Sequence, residues 1–192
     1  TVVLVDSSDC VGGGAAGDSA VALAALIEKP ISGEILIHVV DAECVTRAEH
    51  VGLGGYFTAT IGHKIDLSRG APLTIDVKVQ NLFDGQFTYD GGIMGGITAT
   101  MGRSAVLSAG SAKILVSTFG SYEFADEQYR AAGLDIRQAR FVVVKNPMNF
   151  RQAYQFAVAT YILDTPGPTT PSLRRLNWSK NRRPFYPLDD SF

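Results

Sequence analysis

A chain of 192 residues with a formal net charge of −2 is in the size range of one domain, and it lacks the basic excess of a general nucleic-acid binder. Its 46% hydrophobic and 19% charged residues are enough for a globular core. No apolar run reaches the about 18 residues of a membrane helix, and two cysteines make neither a disulfide framework nor a zinc quartet.

In chain order, VVLV (2–5) is a continuous aliphatic run, the mark of a strand covered on both faces. Thr1 stands where an initiator Met would, so a piece of a larger polypeptide is expected; no signal peptide is expected, and any targeting segment would lie upstream. A glycine-rich loop (7–17) follows, then a helix over about 19–29, capped by Asp18 or Ser19, apolar on nearly all sides, expected to be buried and stopped by Pro30. EILIHVV (34–40) predicts a second buried strand, and 41–51 a helix ending at Gly52. This β-α-β-α order favours parallel pairing.

Residues 55–119 change character. Leu73, Ile75, Val77 and Val79 alternate with polar residues, as in a half-buried antiparallel strand. Short runs at 56–62, 86–90, 95–101, 104–108 and 112–119 predict a β-rich meander inserted between α/β halves, and Asp84-Gly85 predicts a hairpin. The α/β pattern then returns: a helix over 126–133 capped by Asp126, a strand FVVVK (141–145), a loop NPMNFR, a helix over about 150–156 and a strand over 157–164. The tail 165–192 carries five prolines and is expected to be irregular, anchored by Trp178, Phe185 and Tyr186. The fold class is therefore α/β: a mixed sheet with flanking helices and a β-rich antiparallel insertion, in a single domain over 1–192.

Two constellations carry chemistry. In the first loop, Asp6, Asp9 and Asp18 surround Gly12, Gly13 and Gly14. Glycines permit close backbone approach to a ligand, but no Gly-Lys-Ser/Thr follows and three carboxylates repel phosphate. An ammonium, a hydroxyl or a neighbouring cation fits better, against the plainer reading of Asp side chains bonded to loop amides. In the second, Lys145, Asn146, Asn149 and Arg151 leave a buried strand beside that loop, so opposite charges meet there, in the plainer reading as a salt bridge of Arg151 to Asp9. His38, His50 and His63 have no partner at ligand spacing, so no metal site is expected in this chain. Cys10 is a reactive-thiol candidate whose plainer reading is packing. The basic tail segment (Arg174, Arg175, Lys180, Arg182, Arg183) is expected to be a solvated or docking surface.

Taken together, D-S-S-D-x-x-G-G-G-x-x-G-D-S, K-N-P-M-N-F-R, T-P-G-P-T-T-P and R-R-P-x-Y-P-L-D-D resemble the C-terminal domain of the MlrC family of M81-type metallopeptidases, over Val2 to Asp190. That resemblance implies a companion domain, inactive alone, of a zinc-dependent peptide or amide hydrolase. Zinc and its ligands are then expected in an N-terminal catalytic domain, this chain's partner, with no cofactor in this domain. Asp6, Asp9, Gly12 to Gly14, Asp18, Lys145, Asn146, Asn149 and Arg151 are expected to help form the substrate cleft. Asn149 stands where relatives often carry His, so no acid–base role passes to it. A peptide or small amide is the implied substrate, the cytoplasm the expected compartment, and an oligomer is compatible. A small polar-ligand module and a structural or oligomerisation domain are the rival readings.

Overall fold

A computed structural model describes residues 1–190. Ten strands and four helices follow in the order β1 (Val2–Val5), α1 (Val21–Ile27), β2 (Ile35–Val40), α2 (Ala42–Val51), β3 (Tyr56–Ile61), β4 (Leu73–Phe83), β5 (Gln86–Thr88), β6 (Thr98–Thr100), β7 (Ser104–Ala109), β8 (Ala112–Ser117), α3 (Glu127–Ala131), β9 (Phe141–Val144), α4 (Phe150–Ala153) and β10 (Ala159–Ile162). Eight strands form one mixed sheet in the order β10-β1-β9-β2-β8-β7-β4-β3, and β5 pairs with β6 apart from it.

The aliphatic runs explain the parallel part. Strands β10, β1, β9, β2 and β8 are mutually parallel. Leu4, Ile35, Ile37, Val39 and Val143 face a core built with α1 and α2. Their neighbours Val3, Val5, Leu36, Val142 and Val144 face a second core with α3, α4 and the β5–β6 pair. Each strand has apolar residues on both faces because both faces are covered. Parallel pairing also gathers the carboxyl ends of these strands at one edge, where α/β proteins hold ligands.

The β-rich antiparallel stretch lies between the α/β halves as expected, and its strands β3, β4 and β7 extend the same sheet antiparallel from β8. Other expectations are corrected. Asp84-Gly85 does not close a hairpin of its flanking strands, because β4 pairs with β7 and β5 with β6. Gly85, at φ 72°, diverts the chain between sheets, and Asp84 accepts the Gln86 amide. Helix α1 is shorter than expected and buries only Ala22 and Leu23. Asp18 does not cap its first turn but accepts the amides of Ile65 and Asp66 at 2.7 and 3.1 Å. The Ser19 hydroxyl accepts the Val21 amide at 3.4 Å, and the Ala20 amide donates to Nε2 of buried His63. Asp126 likewise makes no side-chain cap on α3. By contrast, Asp41 caps α2 through the Cys44 amide, and Gly52 ends it at φ 83°.

The tail folds on itself. The Trp178 and Phe185 rings meet edge to face at 5.6 Å, and Leu188 is its buried apolar side chain. Three of its four arginines pair within the chain, Arg174 with Asp190, Arg175 with Asp164 and Arg183 with Asp189. No helix among the described residues is long and apolar enough to cross a membrane.

Candidate functional site

The register of β1 on β9 places Val5 opposite Val144, so the next residues, Asp6 and Lys145, leave the sheet side by side; the Asp6 amide donates to Val144 O at 2.9 Å. After β1 the chain makes two short 3-10 turns, Ser7–Asp9 and Val11–Gly13. These turns carry Asp9 back under the loop, where it is buried. Its Oδ1 accepts the Gly17 amide at 2.9 Å, and its Oδ2 accepts the Ser19 amide at 2.8 Å and Lys145 Nζ at 2.7 Å. Lys145, also buried, donates further to Gly17 O at 2.8 Å and Ser19 O at 3.2 Å.

This geometry settles the first loop's chemistry. The Asp9 carboxylate occupies the place that an external anion would take among the loop amides. Gly13, Gly14 and Ala15 donate to Cys10 and Val11 carbonyls, so they too are spent internally. The expected ion pair of the two loops exists, but its cation is Lys145; Arg151 lies exposed on α4 over the Phe150 ring, 4.9 Å from its centre. Lys145 wins because it leaves the strand directly opposite Asp6, whereas Arg151 is six residues further on and past the turn.

The other predicted residues divide. Asp6 is fully buried, its Oδ1 held by the Thr165 hydroxyl and its Oδ2 without a partner among the described residues. Burial pushes its carboxyl up, with Lys145 opposing. Gly12, Gly13 and Gly14 form the exposed rim. A Cβ on Gly12 would lie 2.7 Å from the Tyr122 ring, and one on Gly13 would lie 2.8 Å from the Thr169 methyl. Asn146 is buried as a turn builder, accepting the Met148 and Asn149 amides at 2.9 Å each and donating to Glu123 O. Asn149 is half-buried and donates to the Tyr122 hydroxyl. Asp18 turns away to the 62–66 loop and does not join the group. Cys10 is buried beneath the rim, and burial raises its thiol. The Thr165–Pro171 segment closes the group from above: Thr169 N donates to Ser8 O at 3.1 Å and Thr169 Oγ1 to Ser7 O at 2.9 Å.

Sequence reasoning missed the segment Tyr122–Glu123. It leaves β8, whose carboxyl end lies at the same edge, and it wedges between the two loops. Glu123 is half-buried and accepts the Lys145 amide at 2.7 Å. Burial pushes its carboxyl up to about 7, against the pull of Lys145. Placing β8 in a parallel pair would have found it, since polar residues leaving a parallel strand point to this edge. His38, on β2, holds the Ser117 hydroxyl at 2.7 Å, and burial lowers its imidazole to about 3, so it is neutral.

The raised Glu123 carboxyl has a signed consequence. Its folded value lies above the ordinary 4.5, so the folded state holds the proton longer and stability falls as pH rises from about 4.5 to about 7. Glu123→Gln is expected to stabilise the domain by about 1–2 kcal/mol at pH 8, after allowing for partial exposure, and not at pH 4. Carboxyl carbon shifts in an NMR titration should give a midpoint near 7; an ordinary midpoint would contradict it.

Among the described residues no three His, Cys, Asp or Glu side chains form a group that could hold a metal. A groove between α2 and β3, lined by Glu43, Arg47, His50, Phe57 and Lys64, lies away from the loops, and Lys64 is already paired with Asp41.

These features define an open α/β domain whose polar loops gather at the carboxyl edge of a parallel sheet around one buried ion pair. The MlrC C-terminus profile matches residues 4–180, and the chain belongs to that family. It is similar to Microcystinase C of Sphingomonas sp, 26% identical over 188 residues, which covers 98% of this chain and 36% of that protein. It is also similar to the crystal structure of a "Putative metallopeptidase" from Mesorhizobium sp. BNC1, with a TM-score of 0.87 and 27% identity, covering 100% of this chain and 38% of that one. The chain thus spans little more than a third of the length of each.

Proposed function

We propose that this chain is the C-terminal companion domain of an MlrC-like zinc metallopeptidase or amide hydrolase, that it forms one wall of the substrate cleft, and that it is inactive alone. The observation that carries this reading is the edge itself. Three separate segments, 6–19, 121–126 and 145–149, are joined there by Asp9, Lys145, Asn146 and Asn149, with Gly12–Gly14 exposed and Tyr122, Glu123 and Asn149 half-buried at the rim. Such a wall is polar and held by internal hydrogen bonds.

In this reading the buried pair shapes the wall, and the groups at its rim meet the substrate. Asn149 and Tyr122 orient a peptide or small amide by hydrogen bonds, which gains rate by positioning. Glu123 holds or releases a proton near neutrality, as a cleft carboxyl can. Zinc, when bound by the preceding catalytic domain, supplies the activated water. Two buried free cysteines suit a reducing compartment, hence the cytoplasm. The reading is tested by assaying peptide and amide hydrolysis in the full-length protein and in the isolated domain. Activity is expected in the first and none in the second; hydrolysis by the isolated domain, or none by either, would overturn it.

A further inference from the structure

Strand β10 ends the sheet and is bonded on one side only, to β1. Parallel strands are normally covered on both faces. Here Thr160, Tyr161 and Ile162 are exposed in succession, so both faces of the strand lie open. Val158 is 81% exposed, Tyr161 60% and Ile162 58%. An uncovered strand edge with large apolar side chains is a ready site for pairing and burial.

Beside the strand runs a groove lined by Phe150, Arg151, Tyr154, Thr160 and Ile162. Tyr154 is only 4% exposed, yet its hydroxyl has no partner among the described residues. A buried hydroxyl left unpaired costs free energy, and a group from outside can satisfy it. The patch continues past exposed Arg151 to Met148, in the loop that follows Lys145.

The course of the chain identifies the occupant. The Val158 amide donates to Thr1 O at 3.0 Å, so polypeptide running into β1 passes beside the most exposed residue of the patch. Any domain ahead of residue 1 is tethered there, at high effective concentration. Both relatives have nearly two thirds of their length outside the matched region. We propose that the β10 edge and the α4 groove are the docking surface for the domain that precedes residue 1 in the longer protein. This inference rests on the companion-domain reading and deepens it. Docking along β10 runs from the point where the chain comes in to the carboxyl edge, and so brings the preceding domain up to the polar loops.

The test compares hydrogen exchange of the segment 156–164 in the full-length protein and in the isolated domain. Exchange at least about tenfold slower in the full-length protein is expected. The double variant Tyr161→Asp/Ile162→Asp should abolish that protection and open the junction to protease. Because both side chains are exposed, the variant should leave the isolated domain's melting temperature unchanged. Equal exchange in the two forms overturns the proposal. Dimerisation of the isolated domain that the variant abolishes overturns it in favour of a second copy. Protection of β10 in a full-length protein that hydrolyses nothing upholds the docking surface and sinks the hydrolase reading alone.

Discussion

Lys145→Met is expected to destabilise the domain by about 3–5 kcal/mol, the cost of leaving a buried charge without its counter-ion. Asp9 would keep the Gly17 and Ser19 amides but lose its cation, the Ser19 carbonyl would lose the Lys145 ammonium, and the Gly17 carbonyl would keep only the Val40 amide. A typical domain has only about 5–15 kcal/mol to lose, so the variant would be close to unfolding. The double variant Asp9→Asn/Lys145→Met should cost less than the sum of its single changes, because removing both charges removes the unpaired one. Urea unfolding followed by circular dichroism reads both values. A cost below about 1 kcal/mol for Lys145→Met would place the pair among weak surface bridges instead. It follows that Asp9→Ala cannot separate a catalytic from a structural role, since it disturbs the whole edge.

Gly167→Ala is the second large effect. A Cβ there would lie 2.0 Å from Ser8 O and 2.8 Å from Ser8 Cβ, with no flexible side-chain end to yield. The Thr165–Pro171 strap would have to lift, breaking the bonds of Thr169 to Ser8 O, Ser7 O and the Cys10 amide. A loss of about 3 kcal/mol is expected, at the upper end for overpacking, with faster proteolysis of the tail. Unchanged stability would show that the strap is loosely held.

The sequence made much of this legible for specific reasons. VVLV, ILIHVV and FVVV are short, almost wholly apolar runs, broken only by His38, as expected of strands buried on both faces. Asp41 and Gly52 bracket α2 because one accepts a first-turn amide and the other adopts a left-handed φ. The three segments D-S-S-D, K-N-P-M-N-F-R and T-P-G-P-T-T-P, far apart in the chain, meet at one edge, while the R-R-P-x-Y-P-L-D-D ending closes on itself through Arg183 and Asp189.

What was not legible depended on long-range pairing. Asp84-Gly85 is a sound local turn signal, but no local signal says which strand each arm will join. Asp18 resembles an N-cap, yet the 62–66 loop takes its carboxylate, and His63, 43 residues away, accepts the Ala20 amide just ahead of the helix. Glu123 carries no motif; its raised carboxyl exists only because β8 ends beside β2 and the following segment is drawn under Lys145.

The account stands or falls on whether this edge touches substrate. The most direct measurement is kcat/KM for peptide or amide hydrolysis by the full-length protein and its Asn149→Ala variant. The Asn149 side chain is half-buried on the rim and donates only to the Tyr122 hydroxyl, while its backbone bonds to Asn146 and Gln152 survive the change, so its loss should cost the fold little. The account predicts about a tenfold fall in kcat/KM with little change in melting temperature, the value of one positioning hydrogen bond. An unchanged kcat/KM in a folded, active full-length protein would contradict it.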